Sequence, residues 1–445
     1  MARQKVILPD EGIPRNKLLK IMEESRKEDA NWQNGRIWGL VNRASDEHTE
    51  LLKEVFTMFF SENALSPFAF PSLKKFEAEV ISMTIDLLGG NRRACGSMTS
   101  GGTESILLAV KTYRDWTRDR FPTIKEPEMI LPSSAHPSFE KAGKYFDVKT
   151  IYVPIDNKSY RADVKAMRDK LSENTILIVG SAPDYPRGVV DPITELGSLA
   201  KENNIGMHVD ACLGGYMLPF VRKLGYEIPD FDFSVPGVTS ISADIHKYGY
   251  GAKGSSTILY RKDELLKYQY CATLDWSGGI YASPAMQGSR PAGTIAAAWA
   301  ALNSLGENGY LKLAKLVMDT TKKLINGIEQ IPELYILGKP DMSVYSFTSD
   351  KFHIYNLADA MERRGWHLDR MQFPPAIHMT INPPQSKVVD PFLKDLNESV
   401  KEVINNPQKK ADGQSALYEM IASAPDRGSL KEFVLDFLKD LYKAK

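Results

Sequence analysis

Ile241-Ser242-Ala243-Asp244-Ile245-His246-Lys247-Tyr248-Gly249-Tyr250-Gly251 is the stretch on which the fold turns. It reads as a buried β-strand that ends in His246-Lys247 and opens into a glycine-loosened loop. A lysine just past a strand end has little structural use, because an ammonium without a partner is costly to bury. Its chemical use is strong: a partly desolvated amine loses its proton more readily and forms a Schiff base with an aldehyde. Alone, Lys247 reads more readily as a solvated loop lysine, so the segments around it decide.

Working outward, helices alternate with short β-rich runs from about 73 to 260. Strands are expected at 129–132, 149–153, 175–180, 206–209, 239–243 and 257–260, with helices at 74–88, 103–118, 164–171 and 192–202. This alternation predicts a mostly parallel α/β sheet. Upstream, residues 1–60 read as a helical arm with amphipathic stretches at 17–26 and 47–60. Downstream, a long helix from 293 to about 330 precedes strands at 334–338, 343–348 and 378–381 and a helix at 354–364. The expected division is an arm over 1–60, a large α/β domain over 61–305 and a smaller C-terminal α+β domain over 306–445.

Three further pieces bear on the chemistry. Thr99-Ser100-Gly101-Gly102-Thr103-Glu104-Ser105 leads into a helical pattern, so its glycines sit at a helix N-terminus. Free backbone N–H groups there form an anion cradle, to which the Ser100 and Thr103 hydroxyls can add; the plainer reading is an N-cap and turn. His208-Val209-Asp210 places an acid at the end of an apolar strand, where open α/β sheets bind ligands. Such an acid can hold a proton on a ring nitrogen, or simply cap a helix. Ser134-Ala135-His136-Pro137 follows another strand, so His136 either lies against an aromatic ring or is a surface loop residue. Pyridoxal phosphate carries a phosphate, an aromatic face, a basic ring nitrogen and an aldehyde, and each of these four pieces answers one of them.

Bulk properties narrow the class. In 445 residues, 43% are hydrophobic, enough for a large core and a second domain, and 56 basic residues balance 56 acidic ones. Zero formal charge gives no reason to expect a nucleic acid partner. Cys95, Cys212 and Cys271 are few and widely spaced, which suggests a reducing compartment, core positions and no metal site. With neither a signal-peptide pattern nor a membrane span, the reading is a soluble cytoplasmic enzyme.

With these residues in hand, the chain resembles the group II pyridoxal-phosphate-dependent decarboxylase family, in particular its branch of carbon–carbon lyases acting on phosphorylated sphingoid bases. The matching segments are 95–116, 134–146, 208–220, 231–260, 278–302 and 305–310, with a weaker echo at 365–381. The 231–260 and 278–302 blocks are specific to the lyase branch. The resemblance implies the fold-type I transferase fold of pyridoxal-phosphate enzymes and a homodimer with sites shared between subunits. It also implies that Lys247 is the Schiff-base lysine, that Asp210 meets the pyridine nitrogen and that His136 stacks on the ring. Gly101, Gly102 and Thr103 would hold the cofactor phosphate, helped by His246 and by Ser289 from the neighbouring subunit. Lys253 matches a position that binds the substrate's phosphate, and Asn63, Ser66 and Tyr281 fall at the substrate end.

Two positions depart from the family pattern. The arm's usual tyrosine is absent from 34–48, where Trp38 or Asn42 comes nearest, and Ser66 replaces a histidine. The implied reaction is retro-aldol cleavage of a phosphorylated long-chain amino alcohol to a fatty aldehyde and phosphoethanolamine. An amino-acid decarboxylase is the alternative on the same cofactor, although 371–385 lacks the arginine such enzymes use for a carboxylate. A non-catalytic homologue that binds the cofactor or a phosphate compound is the alternative of another class. A lipid tail would need a channel near Phe56, Phe59, Phe60, Phe68 and Phe70, unless those rings form a dimer interface.

Overall fold

The computed structural model describes residues 7–406, 413–423 and 427–443. Seven strands form the main sheet: β1 (Cys95–Thr99), β2 (Glu128–Pro132), β3 (Lys149–Val153), β4 (Thr175–Ser181), β5 (Gly206–Asp210), β6 (Ser240–Ala243) and β7 (Ser256–Tyr260). Their spatial order is β1-β7-β6-β5-β4-β2-β3. Only β7 runs against its neighbours, pairing antiparallel with both β1 and β6. Every residue of β4, β5, β6 and β7 is buried, as expected where helices cover both faces of a sheet.

A short hairpin, β8 (Cys271–Thr273) and β9 (Tyr281–Ser283), leads to a helix over Ala292–Glu329. That helix is interrupted at Gly306, whose φ of 55° and ψ of −179° are not helical. A second, antiparallel sheet follows: β10 (Tyr335–Ile336), β11 (Val344–Thr348), β12 (Asp369–Gln372) and β13 (Pro375–Thr380), ordered β10-β11-β13-β12. One apolar cluster runs from Ile178 and Val209 of the large sheet to Phe347 and Ile377 of the small one. This is the large mostly parallel sheet with a smaller C-terminal α+β unit that the alternation of elements predicts.

Four helices matter for the site. Helix α1 (Arg15–Ser25) buries none of its side chains. Helix α2 (Asp46–Met58) is capped by Ser45, whose hydroxyl accepts the His48 N–H at 3.1 Å. Helix α3 (Pro71–Leu87) starts on a proline at its first position, where the missing N–H costs nothing. Helix α4 (Gly102–Arg120) buries Ile106, Val110, Tyr113 and Thr117 on one face against the sheet.

The differences from the sequence reading have local causes. Strand β1 was not expected, because Cys-Gly-Ser-Met-Thr lacks β-branched bulk; it forms by pairing residue for residue with β7. Strand β6 stops at Ala243 and does not reach His246-Lys247. The His246 N–H instead meets Ser255 O at 3.0 Å and the Gly251 N–H meets Ile245 O at 2.9 Å, folding the chain into a turn. Of the cysteines expected in the core, Cys212 is buried, Cys95 is half-buried and Cys271 is exposed on the hairpin.

Candidate active site

Because β7 runs against both its neighbours, β1 points the same way as β2 to β6, and six carboxyl ends gather on one edge, those of β1, β2, β4, β5 and β6 bordering one space. The chain just beyond them surrounds a cavity of about 560 Å³. Gly101, Gly102 and Thr103 follow β1, His136 follows β2, Tyr185 follows β4, Asp210 ends β5, and Asp244, His246, Lys247 and Lys253 follow β6. Ligand sites on such sheets form at this edge.

Lys247 does not stand alone. Its Nζ lies 2.8 Å from Asp244 Oδ2, a carboxylate only 1% exposed. The expectation of an amine that gives up its proton easily is overturned in this state. Burial does press the ammonium toward neutrality, but the Asp244 carboxylate outweighs it and holds the Lys247 pKa above that of a free lysine. Asp244 was not singled out in the sequence: its spacing of three from Lys247 allows a pair, but only the turn aims its carboxylate inward. Its own pKa is lowered: burial opposes ionisation, and the charges of Lys247 and His246 overcome that.

Asp210 caps no helix. Its Oδ1 accepts the Cys212 N–H at 3.1 Å, and the next helix starts only at Leu218. His136 lines the cavity with its Nδ1 accepting the Ser138 N–H at 3.2 Å, which fixes the ring. Burial lowers its pKa, so the ring is neutral near pH 7. His246 is pushed down to about 4 by burial, against the pull of Asp244. Lys253 Nζ donates to His246 O at 3.2 Å, and its pKa is lowered by burial and by the neighbouring Lys247 charge. Tyr185, also unforeseen, stacks on His378 with ring centroids 4.1 Å apart and reaches Asp369 Oδ2 at 3.4 Å.

The arm contributes a wall of its own. Trp38 is 1% exposed, packed 4.6 Å from Phe392 and 6.0 Å from Trp366, so it has no access to the cavity. Asn42 does line the cavity, its Nδ2 donating to Asn382 Oδ1 at 2.8 Å. Asn63, Ser66, Tyr281 and Ser289 lie elsewhere in the chain. Asn63 Nδ2 donates to Ser289 Oγ at 2.9 Å, while Ser66 and Tyr281 line a separate cavity of about 1390 Å³.

The walls fit pyridoxal phosphate. A Cβ on Gly102 would sit 2.8 Å from both Asp244 Oδ2 and Cys212 Sγ, so only glycine leaves the cradle open. The first-turn N–H groups of α4 that face it have no acceptors within the helix. An amine for an aldehyde, a strand-end carboxylate for a ring nitrogen and a neutral imidazole for a ring face complete the set.

Such a sheet edge and donor set define a fold-type I pyridoxal-phosphate enzyme. The family model of the pyridoxal-dependent decarboxylase conserved domain matches residues 15–349. A sphingosine-1-phosphate lyase of Arabidopsis thaliana is 47% identical, the match covering 98% of this chain and 81% of that protein. The rat sphingosine-1-phosphate lyase 1 is 44% identical, with 98% and 77% covered. Among solved structures, a sphingosine-1-phosphate lyase of Burkholderia pseudomallei superposes with a TM-score of 0.87 at 41% identity, covering 94% of this chain and 98% of that one. A Lactobacillus brevis glutamate decarboxylase shares the fold at a TM-score of 0.79 and 18% identity, covering 91% and 96%. The chain belongs to the pyridoxal-dependent decarboxylase family and, within it, to the sphingosine-1-phosphate lyase branch. It is a pyridoxal-phosphate-dependent lyase.

Proposed function

We propose that this lyase cleaves a phosphorylated long-chain amino alcohol between its amine-bearing and hydroxyl-bearing carbons, giving a fatty aldehyde and phosphoethanolamine. The observation that carries the reading is the pair of cations on the cavity wall. Lys247 and Lys253 line it, and no arginine does among the described residues. A decarboxylase needs a planar bidentate partner for the α-carboxylate, which lysine does not supply, whereas a phosphate monoester is well met by a point charge.

Pyridoxal phosphate, when bound, supplies an electrophilic carbon for the substrate amine and a sink for the electrons of the breaking bond. Lys247 would attach it, Asp210 would keep its ring nitrogen protonated, His136 would cover its face, and Gly101, Gly102, Thr103 and His246 would hold its phosphate. Lys253 would hold the substrate phosphate and so turn the bond to be broken out of the ring plane. The proton of the substrate hydroxyl has to leave as the aldehyde forms, and one has to arrive at the amine-bearing carbon. Of the two sources considered, Lys247 and the arm, Lys247 Nζ would carry both, since the arm residues on the wall, Gly39, Leu40 and Asn42, have no titratable group.

The protein is further read as a cytoplasmic homodimer, divided into an arm over 1–60, a large unit over 61–305 and a small one over 306–445. Supporting the dimer, Asn63, Ser66, Tyr281 and Ser289 share no wall with Lys247 within one chain, so as site residues they would have to come from a second copy. No helix of the described residues is long and apolar enough to cross a membrane.

The test is incubation with a phosphorylated long-chain base, assaying aldehyde and phosphoethanolamine, beside carbon dioxide release from glutamate, aspartate and aromatic amino acids. Aldehyde and phosphoethanolamine in equal amounts, lost in Lys247→Ala, are expected. Carbon dioxide without aldehyde would replace this reading with the decarboxylase one.

A further inference from the structure

The hydrocarbon tail of such a substrate has to leave a cavity whose wall carries Asp210, Asp244, Lys247, Lys253 and Asp369. Two apolar spaces are available. The larger, of about 1390 Å³, shares no lining residue with the Lys247 cavity. The smaller, of about 350 Å³, lies between α2 and the loop that follows Lys247. Both of its walls are continuations of the catalytic ones. On one side Gly39, Leu40 and Asn42 line the Lys247 cavity, while Val41, Asn42 and Ala44 line the cleft. On the other side Lys247 and Lys253 line the cavity, while Tyr250, Gly251 and Ala252 between them line the cleft.

The lining suits hydrocarbon. Trp32, Val41, Leu52, Phe56 and Ala252 supply apolar surface. The cations at the rim are engaged: Arg43 pairs with Asp46 and lies 5.4 Å from the centroid of the Trp32 ring, and Lys53 meets Glu50 at 2.7 Å. His48 is buried, its Nε2 held 3.0 Å from Tyr250 O. A phosphate gains nothing here that Lys253 does not offer better, whereas an alkyl chain loses contact with water.

We infer that the cleft between α2 and the 250–252 loop is the tail-binding subsite, and that it sets which chain lengths are cleaved. The inference rests on the lyase reading of the same site. The phosphate end lies toward Lys253, the amine and hydroxyl carbons at Lys247, and the chain runs past Asn42. The aromatic residues of the arm thereby divide: Phe56 meets the tail, whereas Phe68 and Phe70 line the separate cavity and Phe60 points outward, 76% exposed.

Thr49→Phe and Thr57→Trp each narrow the cleft from α2 without touching the Lys247 cavity, and Thr57 is exposed, so its variant keeps the fold. Cofactor absorbance and thermal melting check that both variants are folded and loaded. The expected result is a fall in kcat/KM of about tenfold or more for a long-chain phosphorylated base, with less than about a twofold change for a short-chain one. Equal falls at both lengths, or no change at either, would overturn the tail subsite. As an independent readout, a phosphorylated base with a diazirine near its terminal carbon should label peptides from 41–57 and 250–252. Labelling of 270–284 would place the tail in the larger cavity and refute the inference while leaving the lyase reading intact. A wild-type protein that cleaves no phosphorylated base of any length would instead refute that reading, and the subsite with it.

Discussion

Lys247 Nζ and Asp244 Oδ2 stand 2.8 Å apart in a site where the carboxylate is almost wholly out of water. The Lys247 amine is therefore held as one half of a buried ion pair. Asp244, with its pKa lowered, contributes stability above the usual carboxyl range and loses it as pH falls through the lowered value. Lys247, with its pKa raised, contributes below about 10.4 and loses that contribution only as pH rises through the raised value. Across the neutral range the pair stays intact. In Asp244→Asn the main opposition to burial is gone and only Cys212 and Asp210 still favour the charged amine, so the pH midpoint of cofactor attachment, followed by absorbance, should move down by at least about one unit. An unmoved midpoint would mean that Asp244 does not set the charge of Lys247.

Asp210→Asn keeps the shape of the strand end and the Cys212 contact but removes the charge. A charge-assisted hydrogen bond to the cofactor ring is worth roughly 1.5–3 kcal/mol, so kcat should drop about tenfold to a hundredfold. Borohydride trapping should still mark Lys247, because attachment does not depend on the ring nitrogen. Loss of trapping together with activity would point to a structural defect instead.

Gly102→Ala tests the cradle. The new methyl group would meet Asp244 and Cys212 at 2.8 Å, and neither can retreat, since both are buried. Cofactor affinity, read by equilibrium dialysis, should weaken about tenfold or more, a change matching a steric cost of about 1.4 kcal/mol. Wild-type affinity in this variant would remove Gly102 from the phosphate site.

Gly188→Ala tests how the two sheets are joined. Gly188 has φ of 71°, and a Cβ there would lie 1.8 Å from Val344 O on β11. The residue also accepts the Asp341 N–H at 2.9 Å. Left-handed backbone and a clash with a carbonyl together should cost about 2 kcal/mol or more of stability, seen as a lower Tm.

Buried histidines make the fold acid-sensitive. Burial pushes His208 and His378 down to about 4, far below the unfolded value near 6.5. Between those limits the unfolded chain binds more protons than the folded one, so stability falls as pH drops from about 6.5 to 4. Tm measured against pH should carry this downward slope, set against an opposite one from Asp184 and Asp191, whose carboxyls burial raises to about 7 and about 6. The slope should flatten in His378→Asn, which removes one titrating ring; a slope unchanged in that variant would assign the effect to other groups.

Much of the large sheet was legible because its strands are short, β-rich runs between helical repeats, a pattern that survives without any tertiary information. Strand β1 escaped because its residues have little strand preference, and only the neighbouring β7 makes it a strand. That Asp210, His136 and Gly101–Thr103 share one cavity wall was readable because strand ends and helix starts leave marks in sequence. The charge state of Lys247 was not, because it depends on Asp244 turning inward within the 244–248 turn, which no propensity specifies. Trp38 and Asn42 could not be separated by spacing either. Packing against Trp366 and Phe392 decides that one is core and the other a wall of the cavity.

Tyr248, next to Lys247, donates its phenol to Ile381 O at 2.9 Å and accepts the Ser343 hydroxyl at 2.7 Å. The lysine's backbone is thus tethered to the chain on either side of the second sheet, nearly a hundred residues and more downstream. A protein cut short before position 343 would keep the Gly101–Thr103 turn, His136 and Asp210 yet lose both hydrogen-bond partners of Tyr248. Whatever Lys247 does, the seating of its turn thus depends on a part of the chain far from its own strand, through Ser343 and Ile381.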